Sequence, residues 1–252
     1  DGLKGSVFED MQTGFVSGAE GREASIQFGL AGSIQHPQID YAAVNYSDAP
    51  WTQAPWQAVS YVSCHDNHTL YDKLRISRPD ATEAELIAMD KLANAIVLTS
   101  QGMAFLHAGE EMLRTKQGEH NSFESPDSIN QMDWTRKAAY PGVVKYYQNL
   151  IALRKAHPGF RLPTAADVQR SLRFQTVEKG LISYHLSELP AEEPWKDIFV
   201  VYNARPEPAA VTLEGEWEVA VWGDEFTLEK GRKVSGSVEA PGRGMVVLYK
   251  RR

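Results

Sequence analysis

The chain has 252 residues, 42% of them hydrophobic, which is enough apolar material for one large packed domain or two smaller ones. A formal charge of −7 with mixed acidic and basic residues gives no basic stripe for a phosphate backbone, so nucleic acid is not an expected partner. No run of about 18 apolar residues occurs, so membrane insertion is not expected, and a single cysteine excludes an internal disulfide but leaves the compartment open.

The first third of the chain changes character once. Residues 1 to about 58 carry many Gly, Pro, Gln and Ser residues with short apolar runs, which predicts loops with scattered short elements. The segment WQAVSYVSC, residues 56–64, is rich in β-branched and aromatic residues and predicts a buried strand. Thr82 and Glu85 then form a capping box, and apolar residues at helical spacing predict a helix that packs through Leu86, Met89, Ala93, Ile96 and Val97.

A second strand and a second long helix follow. The run GMAFLHAGEE, residues 102–111, predicts a short strand that ends in acidic residues. A polar loop extends from about Arg114 to Asp133, and a helix is predicted at about 142–156 with an apolar face that includes Val144, Tyr147 and Ile151. Strands that alternate with helices of this length predict right-handed βαβ units and a parallel sheet.

The helical signals end after His157. Six short β-type runs separated by turn residues predict an antiparallel sandwich: SLRFQTV, LISYHL, IFVVYNA, AVTL, EWEVAVW and GMVVLYK. We therefore expect a boundary near residues 158–163 and a fold of the class α/β plus all-β, with residues 1–158 in the first part and 159–252 in the second.

Candidate chemistry lies where the two predicted strands stop. The carboxyl ends of parallel strands meet at one rim, where ligands bind. The pairs His65 with Asp66 and Glu110 with Glu111 lie at such ends and are expected to line one pocket. Neighbouring side chains of a strand point to opposite faces, so His65 and Asp66 can share a site only if the chain has already left regular strand geometry.

The stretch HDNH, residues 65–68, allows three interpretations. It is a polar loop whose side chains bond the backbone, a metal site built on His65, Asp66 and His68, or a sugar site. In a sugar site a carboxylate flanks an anomeric carbon that becomes positive in the transition state, and a histidine donates to a ring hydroxyl. No other stretch has the spacing of metal ligands, but the local chemistry alone leaves the three open.

Two longer stretches carry a family resemblance. YVSCHDNHTLYDKL, residues 61–74, resembles the seventh-strand motif of the α-amylase superfamily of glycoside hydrolases in the form typical of type I pullulanases. FLHAGEEMLRTKQGEHNSFESPDSINQMDW, residues 105–134, is similar to their eighth-strand region, and DGLKGSVF, residues 1–8, to a segment shortly after the fifth strand. The resemblance implies the C-terminal part of a (β/α)8 barrel over residues 1–158, followed by an antiparallel β-sandwich domain over residues 159–252.

The resemblance also implies roles for single residues. Asp66 matches the carboxylate that stabilises the oxocarbenium-like transition state, and His65 matches the histidine that binds hydroxyls of the sugar beside the scissile bond. Four further residues are expected to shape the rim or bind sugar hydroxyls: Asn67, His68, Asp127 and Asn130. Supporting or core positions are expected for Cys64, His107, Glu110, Glu111 and Arg114.

No stretch of the chain resembles the motifs that carry the nucleophile and the general acid. The resemblance therefore implies a retaining pullulanase that cleaves α-1,6 links of an α-glucan, with Asp66 on this chain and the other two carboxyls on an N-terminal remainder of the same enzyme. Alone, the chain is expected to be inactive. No cofactor is expected, and calcium is left open. The alternatives are another glucanohydrolase of the superfamily and a non-catalytic glycan-binding module.

Overall fold

The computed structural model describes residues 1–228 and 231–252. The helices are α1 (Glu23–Leu30), α2 (Leu70–Ser77), α3 (Glu83–Thr99), α4 (Asp127–Asn130), α5 (Thr135–Ala139), α6 (Pro141–Ala156) and α7 (Ala165–Ser171). The strands are β1 (Val59–Ser60), β2 (Met103–Ala104), β3 (Leu172–Glu178), β4 (Leu181–Leu186), β5 (Trp195–Asn203), β6 (Ala209–Trp222), β7 (Glu225–Phe226), β8 (Lys233–Ala240) and β9 (Gly244–Arg251).

The first two strands form a small parallel sheet. β1 pairs with β2 in parallel, with α2 and α3 between them in the chain, as the βαβ pattern predicts. However, β1 is two residues long, and the expectation of a buried strand over residues 56–64 is wrong. Several large apolar side chains around the pair are exposed: Trp56, Val59, Tyr61, Met103 and Phe105. The reason is that, within the described residues, this sheet has only two strands and nothing covers them.

Helix α3 begins as its capping box predicts. The Thr82 hydroxyl accepts from the N–H of Glu85 at 3.3 Å, and the Glu85 carboxylate accepts from the N–H of Thr82 at 2.9 Å. The C-terminal half of α3 is buried on all sides because the helix packs against α2, α6 and strand β9. None of the described helices is both long and apolar enough to cross a bilayer.

The buried face of α6 is rotated from the predicted one. Tyr147 is buried as expected, but Val144 is half-buried and Ile151 is 40% exposed. The buried face also carries a polar contact to α3 that spacing does not encode. The Tyr147 hydroxyl donates to Asp90 at 2.6 Å and accepts from the amide of Asn94 at 2.7 Å, and both partners lie on α3. The buried face consists of Val143, Tyr146, Tyr147, Leu150 and Leu153.

Several short helices were not predicted, among them α1, α2, α4, α5 and α7. Helix α2 is capped by Thr69, whose hydroxyl accepts from the N–H of Asp72 at 3.2 Å. Helix α7 is capped by Thr164, whose hydroxyl accepts from the N–H of Asp167 at 3.1 Å. The expectation that helices end at His157 is therefore wrong. Both helices are too short for an apolar period to be visible, so the threonine caps are their clearest signals.

The remaining strands confirm the predicted antiparallel pairing. They form one sheet in the order β3-β4-β5-β9-β6-β7, with β8 also paired to β6. The runs AVTL and EWEVAVW were expected as two strands but form the single strand β6, whose register shifts between Leu213 and Glu216, where Gly215 has φ 77°. Strand β8 was missed because its sequence, KVSGSVEA, has little apolar content.

The central strands are buried on both faces. In β5, Ile198, Val200 and Tyr202 join the core shared with the helices, whereas Phe199 and Val201 join a second core. The second core also contains residues of β6 and β8, so the two parts of the sheet pack face to face. Burial on both faces explains why IFVVYNA is a continuous apolar run rather than an alternating one.

A buried carboxylate lies where the boundary is predicted. Glu193 is fully buried and accepts from the His157 ring at 2.7 Å, from the N–H of Gly159 at 2.8 Å and from the N–H of Trp195 at 3.2 Å. The His157 ring also stacks on Trp195, with 3.5 Å between ring centroids. The apolar core is continuous across this point. The two sides of the predicted boundary are therefore tightly joined.

We expect Glu193→Ala to lower the free energy of unfolding by about 3 kcal/mol, because three buried donors lose their acceptor. The matched control is Glu192→Ala, which truncates an exposed neighbour and should change stability by less than about 0.5 kcal/mol. Urea unfolding followed by circular dichroism measures both variants. Equal midpoints for the two variants would contradict a structural role for Glu193.

Candidate functional site

The chain leaves strand geometry before it reaches HDNH. Strand β1 ends at Ser60, and Asn67 has a left-handed φ of 63°, a conformation that asparagine tolerates better than most residues. The His65 Nε2 atom lies 3.6 Å from Asp66 Oδ1, and their side chains are 86% and 73% exposed. The irregular turn thus places both side chains together at the surface, which a regular strand would not allow.

Asp66 lies between two cavities. Asp66, Asn67 and Val7 contribute to the walls of both. One cavity, of about 450 Å³, extends towards β1 and α3 and includes Cys64 in its wall. The other, of about 640 Å³, has a more polar wall formed by Val7, Phe8, Asp10, Asp66, Asn67, His120 and Asn121. We call the second one the rim pocket. An exposed carboxylate thus stands at an opening that is large enough for sugar units.

His68 was expected on the rim, but the structure places it beneath the rim. Its side chain is buried, and its Nε2 atom lies 3.0 Å from Asp10 Oδ1. Its ring is 5.6 Å from the ring of His120. The cause is local: α2 starts directly after the Thr69 cap, so the chain turns inward at His68 and carries the ring beneath the rim. There the histidine holds Asp10 in the wall of the rim pocket.

The second motif places its two candidate residues differently. Asp127 is exposed in the first turn of α4. The side-chain amide of Asn130 donates to the carbonyls of Ser122, at 2.7 Å, and Ser125, at 3.0 Å. Both amide hydrogens of Asn130 therefore close the loop instead of facing outward. A polar loop without apolar anchors depends on such side-chain to backbone bonds.

Two buried lysines connect the loops, and sequence reasoning missed them. Lys73 Nζ donates to the carbonyls of Glu9, at 2.7 Å, and Asp10, at 2.8 Å. Lys116 Nζ donates to the carbonyl of His65 at 3.1 Å and to the hydroxyl of Ser122 at 2.5 Å. Burial lowers the pKa of both lysines. Lysine is rarely buried, so composition did not indicate that these two lysines are buried. The only signal in the sequence is that Lys73 lies between apolar residues in the segment LYDKL.

The acidic residues after β2 were expected to line one pocket with His65 and Asp66, or to support the turn. Neither Glu110 nor Glu111 contributes to the walls of the two cavities beside Asp66. Glu110 is buried and accepts a hydrogen bond from the Ser63 hydroxyl. Burial raises the pKa of Glu110 to about 8 and lowers the pKa of nearby Lys4 to about 8. Glu111 accepts from the N–H of Gly109 at 3.0 Å. These contacts stabilise the turn after β2 and leave Glu110 without access to a ligand.

Arg114 supports the same region through neutral partners. Its guanidinium donates to His107 Nε2 at 3.2 Å, to the Ala108 carbonyl at 3.1 Å and to the Asn130 carbonyl at 2.8 Å. Burial and the Arg114 charge lower the pKa of His107 to about 4, so this histidine is neutral at pH 7. Among residues 1–228 and 231–252, no group of three His, Cys, Asp or Glu side chains is arranged to hold a metal ion.

Known proteins resemble the chain in both sequence and fold. The family model for the pullulanase all-beta domain matches residues 168–225. The chain is 37% identical to a pullulanase of Bacillus subtilis over 250 residues, which is 99% of the chain but 34% of that protein. A crystal structure of type I pullulanase from Bacillus subtilis complexed with maltose is matched with a TM-score of 0.92 and 37% identity, over 100% of this chain and 34% of that one.

A second solved structure gives the same result. The pullulanase of Paenibacillus barengoltzii, in complex with maltohexaose and α-cyclodextrin, is matched with a TM-score of 0.89 and 42% identity, over 100% of this chain and 38% of that one. The fold and these matches define the class: the chain is related to the glycoside hydrolases. More particularly, the chain is similar along its whole length to type I pullulanases, of which it spans about a third.

Glu110 makes stability depend on pH. The unfolded chain ionises this carboxyl near its ordinary pKa of 4.5, whereas the folded chain keeps it protonated up to about pH 8. Folding stability is therefore lost progressively as pH rises through this window. We expect Glu110→Gln, which cannot ionise, to be more stable than the parent at pH 8 by on the order of 1 kcal/mol or more, with a smaller difference at pH 5.

Unfolding midpoints at pH 5 and pH 8 measure this difference. Glu111→Gln is the matched control, because it alters the adjacent, less buried carboxyl and should keep the pH dependence of the parent. If the difference in stability between the parent and Glu110→Gln is the same at pH 5 and at pH 8, Glu110 ionises normally and the prediction is wrong.

Proposed function

We propose that the chain forms part of a retaining glycoside hydrolase that cleaves α-1,6-glucosidic links in pullulan and branched starch fragments. The observation that carries the proposal is the position of Asp66, an exposed carboxylate between two cavities, in a motif that resembles that of type I pullulanases. The relatives named pullulanase, and the solved relatives that hold maltose or maltohexaose, support this choice of substrate.

In this proposal Asp66 stabilises the transition state. A fixed negative charge beside the anomeric carbon attracts the substrate more strongly as positive charge develops on the sugar ring. His65, which lies 3.6 Å from Asp66, donates a hydrogen bond to a hydroxyl of the same sugar. Asn67 and the exposed Asp127 complete the direct contacts. His68 and Asn130 act indirectly, because their polar groups bond Asp10 and the loop around Ser122.

The other two carboxyl groups belong to the N-terminal remainder of the enzyme. A retaining enzyme needs a nucleophile and a general acid about 5 to 5.5 Å apart, and this sequence has no motif for either. Residues 1–158 complete a (β/α)8 barrel with that remainder, and residues 159–252 form the sandwich domain behind it. The exposed apolar side chains beside β1 and β2 support this arrangement, because a strand pair of this kind requires neighbouring strands to cover it.

Asp66→Asn tests the catalytic role. In the enzyme assembled from this chain and its N-terminal remainder, we expect the substitution to lower kcat on pullulan by about a hundredfold or more, since the neutral amide cannot stabilise the developing charge. Release of reducing sugar measures the rate. Asp80→Asn, which alters an exposed carboxylate in the connection between α2 and α3, is the control and should retain full activity. Full activity of Asp66→Asn would reject the assignment.

The chain alone should release no reducing sugar from pullulan, and activity should appear when the N-terminal remainder is added. Three substrates or ligands separate the alternatives. Faster turnover of amylose than of pullulan by the assembled enzyme would indicate another glucanohydrolase of the superfamily. Calorimetric binding of maltooligosaccharides without turnover, even in the assembled protein, would indicate a glycan-binding module.

A further inference from the structure

Asp66 has little side-chain support of its own. Its side chain is 73% exposed, and the His65 ring, which is 86% exposed, lies 3.6 Å away. The next residue, Asn67, has a left-handed φ of 63°, which is sterically unfavourable and persists where the surroundings hold it. The direction of the Asp66 side chain therefore depends on how firmly the backbone of this turn is held from behind.

A single buried cation holds that backbone. Lys116 is 4% exposed, and its ammonium donates to the carbonyl of His65 at 3.1 Å. This carbonyl belongs to the peptide unit that joins His65 to Asp66, so the bond fixes the plane from which the Asp66 side chain departs. The same ammonium donates to the hydroxyl of Ser122 at 2.5 Å and so connects the turn to the facing loop.

The lysine is itself fixed at its backbone. Asp72, in the first turn of α2, accepts from the N–H of Lys116 at 2.7 Å and from the hydroxyl of Thr115 at 2.5 Å. Burial lowers the pKa of Lys116, while the carboxylates of Asp66 and Asp72 act in the opposite direction and favour its charged form. Lys116 is thus a positive charge buried beneath the turn that carries the exposed Asp66 carboxylate.

We propose that Lys116 is a positioning residue for catalysis: it holds the peptide between His65 and Asp66 and so places the Asp66 carboxylate at the reacting sugar. The inference rests on the proposed function. Lys116 does not contact the sugar in this proposal. Loss of Lys116 should therefore displace the Asp66 carboxylate slightly. Such a displacement weakens stabilisation of the transition state, so it lowers the rate strongly and affects substrate binding little.

Lys116→Met tests the proposal because methionine has a similar length but no donor and no charge. In the assembled enzyme we expect kcat on pullulan, per folded molecule, to fall by about tenfold to a hundredfold, while KM changes by less than about threefold. Lys116→Arg restores a charged donor and should recover part of the lost kcat. Thermal unfolding gives the folded fraction of each variant.

Lys91→Met is the matched control. Lys91 is also a largely buried lysine, with an ion pair to Asp224 at 2.6 Å, but it lies on the side of α3 near β7, away from the rim pocket. This variant should lose stability and keep kcat. If Lys116→Met behaves like Lys91→Met, or raises KM with kcat unchanged, Lys116 has a structural or binding role and the proposal is overturned.

A milder variant covers the case in which Lys116→Met does not fold. Ser122→Ala removes one acceptor of the ammonium and should lower kcat several-fold at constant KM; an unchanged kcat would overturn the proposal. Asp66→Asn is measured alongside. If Asp66→Asn is inactive while the Lys116 and Ser122 variants keep full kcat, only the inference on Lys116 fails. If Asp66→Asn is itself fully active, the proposed function fails.

Discussion

The rim depends on buried polar groups that must each find a partner. A buried charge without a partner is costly. The chain around Asp72, Lys73 and Lys116 is therefore restricted to conformations in which these side chains form their hydrogen bonds. Their partners include backbone groups of three separate segments: residues 9–10, the turn at His65 and the loop at 115–116. The need to satisfy these groups therefore fixes three irregular segments relative to α2, without any regular secondary structure in them.

This arrangement separates the groups that support the site from those that are free to meet a ligand. His65 and Asp66 are exposed, whereas His68 and Lys116 lie beneath them and are almost fully buried. The exposed groups have few protein contacts, so in the proposed function a sugar replaces water rather than a protein partner. The buried groups supply the rigidity that an electrostatic stabiliser needs, because a charge that moves away during the reaction stabilises less.

Periodicity in the sequence predicts much of the fold but only part of the candidate site. Helix α3, the parallel β1–β2 pair and the antiparallel runs are local patterns, and the structure confirms them. The contact of His68 with Asp10 spans 58 residues, and the contact of Lys116 with the His65 carbonyl spans 51 residues. No local pattern contains such contacts. The buried contact of Tyr147 with Asp90 also joins two helices and is absent from any local pattern.

The shared core has a practical consequence for dissecting the molecule. One face of the antiparallel sheet, including Tyr184 and Val247, packs on the helices, and the hydroxyls of Tyr184 and Tyr202 bond Thr99 at the end of α3. If residues 159–252 were produced without the helices, this apolar face of the sheet would be exposed to water and would promote self-association. A soluble version of residues 159–252 would need polar substitutions on that face, or it would have to retain helices α3 and α6 to cover it.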